Sequence, residues 1–375
     1  MEKHFDEIYL TQAEYYMQEC FDLAKKGFGR TSPNPIVGAI VLDKDGNPVG
    51  RGFHKKAGDY HAEVIAINEA GGNALGGTLI INLEPCCHQG KTPPCADLII
   101  KSGIKEVIFS CLDPNPLVSG KGKAALEKHN IKVISGILES EGKELNKFFL
   151  KWITTKMPWI CLKQAQTLDG KIALSNGESR WISSELSRKE VHSLRNIYDA
   201  VLVGASTIQA DDPELTVRLI DNGRNPIRVI LDTDLKSSPK SRIFSCDGVD
   251  IILVTEVSCS KEKLNNFLNH NDHIKVIQFN KDLNGRINLI EVFQKLGELG
   301  ILSVMVEAGP NLAGELLLNG LVDEYILFIA PKIFGDASAI SSLKLQKLTD
   351  IQNSIEFKLF DYKPIGNDLM ISLRR

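Results

Sequence analysis

The segment from His61 to Cys95 sets the tightest limit on how this chain can fold: His61-Ala62-Glu63, then Pro85-Cys86, then Cys95. One imidazole and two thiolates give zinc three protein ligands and leave its fourth tetrahedral position to water, the pattern of a catalytic site rather than a closed structural one. Bound zinc lowers the pKa of that water to ~7. Glu63, close to the histidine but not a ligand, is placed to take the water's proton and pass it to a leaving amine. For the ligands to meet, two helix starts and the loop between them must come to one point. His61 and Cys95 both open predicted helices, and a helix N-terminus favours thiolate. No fourth ligand has an equal claim: Cys87 adjoins Cys86 and is poorly placed to share the metal, and His88 fits substrate contact as well as ligation.

The spacing narrows the chemistry. Nucleic-acid and cytidine deaminases carry Pro-Cys-x-x-Cys, whereas here the insert Cys87-His88-Gln89-Gly90-Lys91-Thr92-Pro93-Pro94 separates the two sulfur ligands. A loop with His, Lys, Gly and two prolines beside a metal suits a polar or phosphorylated substrate. A net charge of −3 and a pI near 6.3 show none of the basic excess of a nucleic-acid binder.

At 375 residues the chain exceeds one ordinary core. The hydropathy pattern predicts helices at 12–26, 61–70, 95–101, 123–129 and 139–153 and strands at 36–42, 78–83, 105–111 and 131–134. Strands resume at 159–166, 200–203, 227–231, 250–255, 301–306 and 324–329, with helices at 185–196, 261–269, 289–299 and 311–319 between them. A closing hairpin is predicted over 355–373. Strands spaced by helices imply α/β sheets covered on both faces. The expected division is a domain over 1–153, a linker at 154–158 ending in Met157-Pro158, and a second domain over 159–375. Gly71–Gly77 reads as a flexible loop, and Cys20, Cys111, Cys161, Cys246 and Cys259 read as small core residues. The N-terminus is charged and no apolar run approaches ~18 residues, so a cytoplasmic protein without membrane contact is expected.

In its first half the sequence resembles the bifunctional riboflavin-biosynthesis deaminase–reductase family. The matching segments are Thr31-Ser32-Pro33-Asn34-Pro35-Ile36-Val37-Gly38, His61-Ala62-Glu63, Glu84-Pro85-Cys86 through Thr92-Pro93-Pro94-Cys95, and Asp113-Pro114-Asn115-Pro116. The resemblance implies a cytidine-deaminase-like three-layer α/β/α domain in which Asn34, His88, Lys91, Asp113 and Asn115 line the substrate site, with Lys91 toward a ribose phosphate. Asn82 and Cys87 stand where the family often has threonine and serine, and Lys91 replaces a frequent arginine, which keeps the charge and loses the bidentate fork.

The second half lacks the Gly-x-Gly-x-x-Gly dinucleotide fingerprint. Its best candidate for approach to a diphosphate is the strand–helix junction Val306-Glu307-Ala308-Gly309-Pro310-Asn311-Leu312-Ala313-Gly314-Glu315. Other matching segments are 163–173, 177–182, Arg195, 203–207, 210–213 and 215–218. Together they resemble the reductase half of the same family, with a dihydrofolate-reductase-like α/β fold. Carried over, Ala165, Trp181, Thr207, Asp211, Thr233 and Gly309, Pro310, Asn311, Leu312, Ala313, Gly314 and Glu315 contact NADPH, while Ser179, Arg195, Leu215, Arg218 and Glu307 contact substrate. Arg195 and Arg218 are natural phosphate forks, and Lys163, at a strand end, can orient the ribose. Gln164 and Gln166 are polar where a buried strand prefers apolar side chains, and the sequence offers no account of them.

The resemblance implies a zinc- and NADPH-using enzyme for a small phosphorylated pyrimidine. It deaminates a diaminohydroxypyrimidine bearing a phosphoribosylamino group, then reduces the phosphoribosyl group to the ribityl form. The main alternative is a nucleoside or tRNA deaminase with an unrelated C-terminal domain, which predicts Pro-Cys-x-x-Cys spacing. A monofunctional member with one decayed half and a non-catalytic zinc protein are the others. Homo-oligomers are common among such enzymes, and the sequence names no interface.

Overall fold

Short apolar strands alternating with amphipathic helices dictate sheets shielded on both sides, and two such sheets form. The computed structural model describes residues 2–87, 93–115, 118–245, 248–345 and 350–375. The chain forms two compact units, Met1–Lys156 and Met157–Arg375.

In the first unit, α1 (Glu2–Lys25) leads to β1 (Gly38–Leu42) and β2 (Pro48–Phe53), then α2 (Ala62–Ala70), β3 (Thr78–Leu83), α3 (Cys95–Ser102), β4 (Glu106–Cys111), α4 (Lys121–Lys128) and β5 (Lys132–Ser135). The sheet order is β2-β1-β3-β4-β5. β1 is antiparallel to both neighbours, whereas β3, β4 and β5 run parallel. Alternate residues divide between two cores. Ala39, Val41, Leu79, Ile81, Val107 and Phe109 pack under α2 and α3, and Ile40, Ile80 and Ile108 pack under Met17, Cys20 and Phe21 of α1. The expected three-layer α/β/α architecture follows from that alternation.

Several local expectations are corrected. β2 was not expected, because its inward positions are Gly50 and Gly52 and carry no hydropathy signal. A Cβ on Gly50 would lie 2.1 Å from the Ala66 carbonyl oxygen, and one on Gly52 2.3 Å from that of Ala62. Helix α2 therefore rests on bare backbone. The helix expected at 139–153 is two, α5 (Glu139–Leu145) and α6 (Lys147–Thr155). They separate at Asn146, whose buried side chain bonds both the N–H and the carbonyl of Ile36. Thr154 and Thr155, expected in a linker, finish α6. Gly71–Ala74, expected as a flexible loop, is a turn of 3-10 helix. Cys20, Cys111 and Cys161 are buried as expected, Cys259 is only half-buried, and Cys246 lies outside the described residues.

The second unit opens with β6 (Trp159–Thr167), β7 (Lys171–Ala173), α7 (Glu185–Ile197), β8 (Ala200–Gly204), α8 (Ala205–Asp211) and β9 (Ile227–Leu231). It continues through β10 (Ile251–Glu256), α9 (Lys261–Leu268), β11 (Ile274–Phe279), α10 (Leu289–Glu298), β12 (Ser303–Glu307) and α11 (Pro310–Leu318). It ends with β13 (Glu324–Ala330), β14 (Ile340–Ser341), β15 (Lys358–Ile365) and β16 (Asp368–Arg374). Nine strands form one sheet in the order β11-β10-β9-β8-β12-β6-β13-β16-β15, while β14 pairs with β7. The sheet is parallel from β11 to β13, and the C-terminal hairpin adds the antiparallel edge. Helix α8 and strand β11 were not expected, and β11 is a half-exposed edge with a weak apolar period.

Buried Gln164 now has an account. Its amide donates to Ser342 O (2.7 Å) and Ala308 O (3.3 Å) and accepts from Tyr325 Oη (2.6 Å), so a polar group in the core is satisfied on both ends.

Candidate functional site

In the first unit the two helix starts and the loop after β3 converge. His61 caps α2 with extended backbone, Cys95 opens α3 after Pro94, and Cys86 follows β3. His61 Nδ1 lies 3.3 Å from Cys95 Sγ and 3.7 Å from Cys86 Sγ, and the three ligand atoms all fall within 4.8 Å of one another. The Cys95 N–H, in the first turn of α3, points at Cys86 Sγ (3.3 Å), as a thiolate at a helix N-terminus requires. The Cys95 thiol is pushed up by its bond to Cys86 and by burial, and Cys86 is drawn down to about 4 by Cys95, against its own burial and with help from His61. A metal held here would displace the thiol protons. One nitrogen and two sulfurs at these separations fit zinc.

Glu63 stands one residue inside α2 and is 4% exposed. Burial and the Cys86 thiolate raise its carboxyl, against the pull of His61, so it is tuned toward carrying a proton. The cavity above the cluster has a volume near 390 Å³ and is walled by Asn34, His54, His61, Glu63, Cys86, Asp113 and Asn115 among others. Three residues expected at the substrate site, Asn34, Asp113 and Asn115, therefore meet the metal ligands, while His88 and Lys91 lie outside the described residues.

The side chains that hold this wall were not read from the sequence. His54 is buried, with Nδ1 3.1 Å from Tyr60 O and Nε2 3.0 Å from Asn34 Nδ2. A carbonyl partner requires the proton on Nδ1, so Nε2 accepts from Asn34 and leaves Asn34 Oδ1 as the acceptor toward a ligand. Burial lowers the His54 pKa, which favours this neutral form. Asn82 accepts from Gly38 N–H (2.8 Å) and donates to Ile36 O (3.0 Å), and with Asn146 it clamps the segment leaving Asn34. Glu84 accepts from the N–H groups of Asp113 (3.3 Å), Gly120 (3.0 Å) and Lys123 (3.1 Å), so one buried carboxylate ties Asp113 to the start of α4.

In the second unit, Glu307 ends β12 at the carboxyl edge of the parallel sheet, the usual ligand edge of an α/β sheet, whereas Lys163 lies in the middle of β6 and not at a strand end as expected. Lys163 on β6 pairs in register with Glu307 at the end of β12. Glu307 accepts from Lys163 Nζ (3.2 Å) and from Arg195 Nε (2.7 Å), all three side chains being at most 13% exposed. Burial alone would raise Glu307, but Arg195 and then Lys163 hold it far below the usual carboxylate range. Arg195 also donates to Thr216 O (3.3 Å), joining this triad to the segment that carries buried Leu215 and half-exposed Arg218.

A second cleft of about 570 Å³ is lined by Gly204, Thr233, Asn311, Leu312 and Glu315 among others. Within the junction expected to meet NADPH, Gly309 caps α11 and Pro310 begins it. Ala313 is fully buried in the core, and Gly314 packs against the backbone of Lys344, where a Cβ would lie 2.2 Å from its carbonyl oxygen. Thr207 lies on α8, beside the cleft residues Ala205 and Ser206. Asp211, at the end of α8, accepts from Ser179 Oγ (3.3 Å). Ala165 is half-buried on β6, and Trp181 is 62% exposed with the Arg188 guanidinium 4.3 Å from its ring centre.

Known proteins match both halves. Residues 10–111 match the cytidine and deoxycytidylate deaminase zinc-binding region, and residues 158–371 match the RibD C-terminal domain. The riboflavin biosynthesis protein RibD of Aquifex aeolicus is 42% identical over 360 residues, covering 96% of this chain and 98% of its own. A diaminohydroxyphosphoribosylaminopyrimidine deaminase/5-amino-6-(5-phosphoribosylamino)uracil reductase from Thermotoga maritima superposes with a TM-score of 0.87 at 40% identity, covering 98% of this chain and 99% of its own. Acinetobacter baumannii RibD gives a TM-score of 0.86 at 36% identity, covering 97% and 99%. Because residues 158–371 match the RibD C-terminal domain, the second half is not the unrelated domain that the alternative of a nucleoside or tRNA deaminase requires. With both halves matched in the same order, the chain belongs to the RibD family of bifunctional deaminase–reductases of riboflavin biosynthesis.

Proposed function

We propose that the first unit hydrolyses the exocyclic amine of a diaminohydroxypyrimidine carrying a phosphoribosylamino group, and that the second reduces the sugar of the product with NADPH. The observation that carries this reading is the convergence of His61, Cys86 and Cys95 within 4.8 Å beside buried Glu63, under a cavity that also holds Asn34, Asp113 and Asn115. Zinc held by His61, Cys86 and Cys95 would supply Lewis-acid activation of water at neutral pH. Glu63 takes the proton of that water and returns it to the amine, so that a C–O bond replaces the C–N bond and ammonia leaves. Asn34 Oδ1 accepts from a ring donor, and Asp113 and Asn115 hold the ring edge from the opposite loop. His88 and Lys91 are the remaining candidates for the sugar and its phosphate.

In the second unit NADPH would supply the hydride for reduction of the open-chain sugar, and the protein supplies placement. Arg195 and Arg218 are assigned to the substrate's phosphate and Glu307 and Lys163 to its hydroxyls, with Ser179 and Leu215 completing the wall. Thr233, Asn311, Leu312, Glu315, Thr207, Asp211, Ala165 and Trp181 are assigned to the cofactor, with Gly309 and Pro310 admitting its diphosphate at the start of α11. The free ligand thiols fit a reducing cytoplasm.

The test is to incubate the purified chain with the diaminopyrimidine phosphate, with and without NADPH. Ammonia should appear in both samples and cofactor oxidation only in the second. Glu63→Gln should keep stoichiometric zinc and lose ~10²–10⁴-fold in ammonia release. Undiminished release would refute the role of Glu63.

A further inference from the structure

Helix α7 presents His192 and Arg195 three positions apart, on one face. Both reach the 215–218 segment. Arg195 Nη1 donates to Thr216 O (3.3 Å), Asn225 Oδ1 accepts from Val217 N–H (2.7 Å), and His192 Nδ1 accepts from Arg218 N–H (3.1 Å). The segment begins at Leu215, which has a left-handed φ of 53° with its side chain buried. A branched residue holds that strained conformation only when its surroundings over-determine it. His192 itself is 6% exposed and has no part in the chemistry assigned above.

We propose that His192 is a positioning residue for the reduction: its Nδ1 fixes the backbone of Arg218, and so sets where the guanidinium meets the substrate's phosphate. The proposal rests on the reading of Arg218 as a phosphate contact. The ring must be neutral to accept an N–H, which puts its own proton on Nε2. Burial, then Arg195 and Arg218, hold its pKa down at about 4, against Glu307 and the Thr216 carbonyl, so the accepting form persists throughout the neutral range. From the anchored N–H the Arg218 side chain runs back over its own segment to Thr216 Oγ1 (2.6 Å) and to Glu214. Released from His192, the backbone at Arg218 can shift, and a displacement of about 1 Å at a binding group is enough to cost ~10²-fold.

The experiment measures steady-state reduction by the full chain for His192→Ala, His192→Asn, Arg218→Ala and the double variant, with the melting transition of the second unit confirming folding. His192→Ala should raise the substrate KM about tenfold with kcat within about twofold. His192→Asn, whose Oδ1 takes the place of Nδ1, should restore KM to within about threefold. In the Arg218→Ala background, His192→Ala should raise KM no further, because the group it positions is gone. An unchanged KM in a folded His192→Ala, a fall in kcat alone, or multiplicative effects in the double variant would each overturn the proposal. If Arg218→Ala leaves KM untouched, the phosphate reading fails and takes the proposal with it. If Arg218→Ala raises KM and the His192 variants are silent, the proposal alone fails. Should His192→Ala not fold, His192→Gln replaces it: moving the acceptor beyond the Nδ1 position should leave KM about fivefold above that of His192→Asn, and equal values overturn the idea.

Discussion

Replacing Glu307 with glutamine tests the electrostatics of the second site without touching its shape. The carboxylate contacts Arg195 at 2.7 Å and Lys163 at 3.2 Å, with side-chain exposures of 13%, 10% and 13% for Glu307, Arg195 and Lys163. Such burial leaves little solvent screening, so the substitution strands two like cations in the protein. Removing one partner of a buried pair costs ~3–5 kcal/mol. A unit of this size loses ~2–4 °C of melting temperature per kcal/mol, which gives a fall of about 6–20 °C at pH 7.5. The sign of the pH dependence follows from the depressed carboxyl. Its folded pKa lies below the usual 4.5, so its contribution is complete above pH 4.5 and drains away as pH falls toward the folded value. At pH 3.5 the gap between wild type and variant should have narrowed by ~1.4 kcal/mol, roughly 3–6 °C. Calorimetry on the ligand-free chain reads both quantities, with the deaminase unit as internal reference. A loss below 3 °C at pH 7.5, or a gap that widens on acidification, would refute the reasoning.

Two further outcomes bear on the deaminase unit. Gly52→Ala places a methyl 2.3 Å from Ala62 O, at the start of the helix that His61 caps, so α2 must move off β2. Zinc per chain, measured by atomic emission after dialysis, should fall, and full retention together with full deamination would count against the packing argument. Glu84→Gln offers one amide oxygen where three backbone N–H groups are bound, costing ~1–3 kcal/mol and loosening the segment that carries Asp113 and Asn115. The deaminase KM should rise with reductase kinetics unchanged, and an unaltered KM would refute that account of the loop.

The meeting of His61, Cys86 and Cys95 and the two α/β sheets were legible in the sequence because their signals are local. Ligand identity is a property of single residues, helix starts have their own chemistry, and buried strands read as apolar runs. What the sequence could not yield were the residues that act through distant partners. Asn146 acts on Ile36 110 positions away, Asn82 on Gly38 across 44, and His192 on Arg218 across 26, and nothing near each residue in the chain marks its partner. Strand β2 stayed hidden for the opposite reason: its core positions are glycines, and it is the carbonyls of α2, placed only by folding, that fill the space a side chain would occupy. Side-chain chemistry thus chose the reactions locally, while the orientation of the groups that perform them was decided by tertiary packing, because a hydrogen bond depends on distance in space and not along the chain.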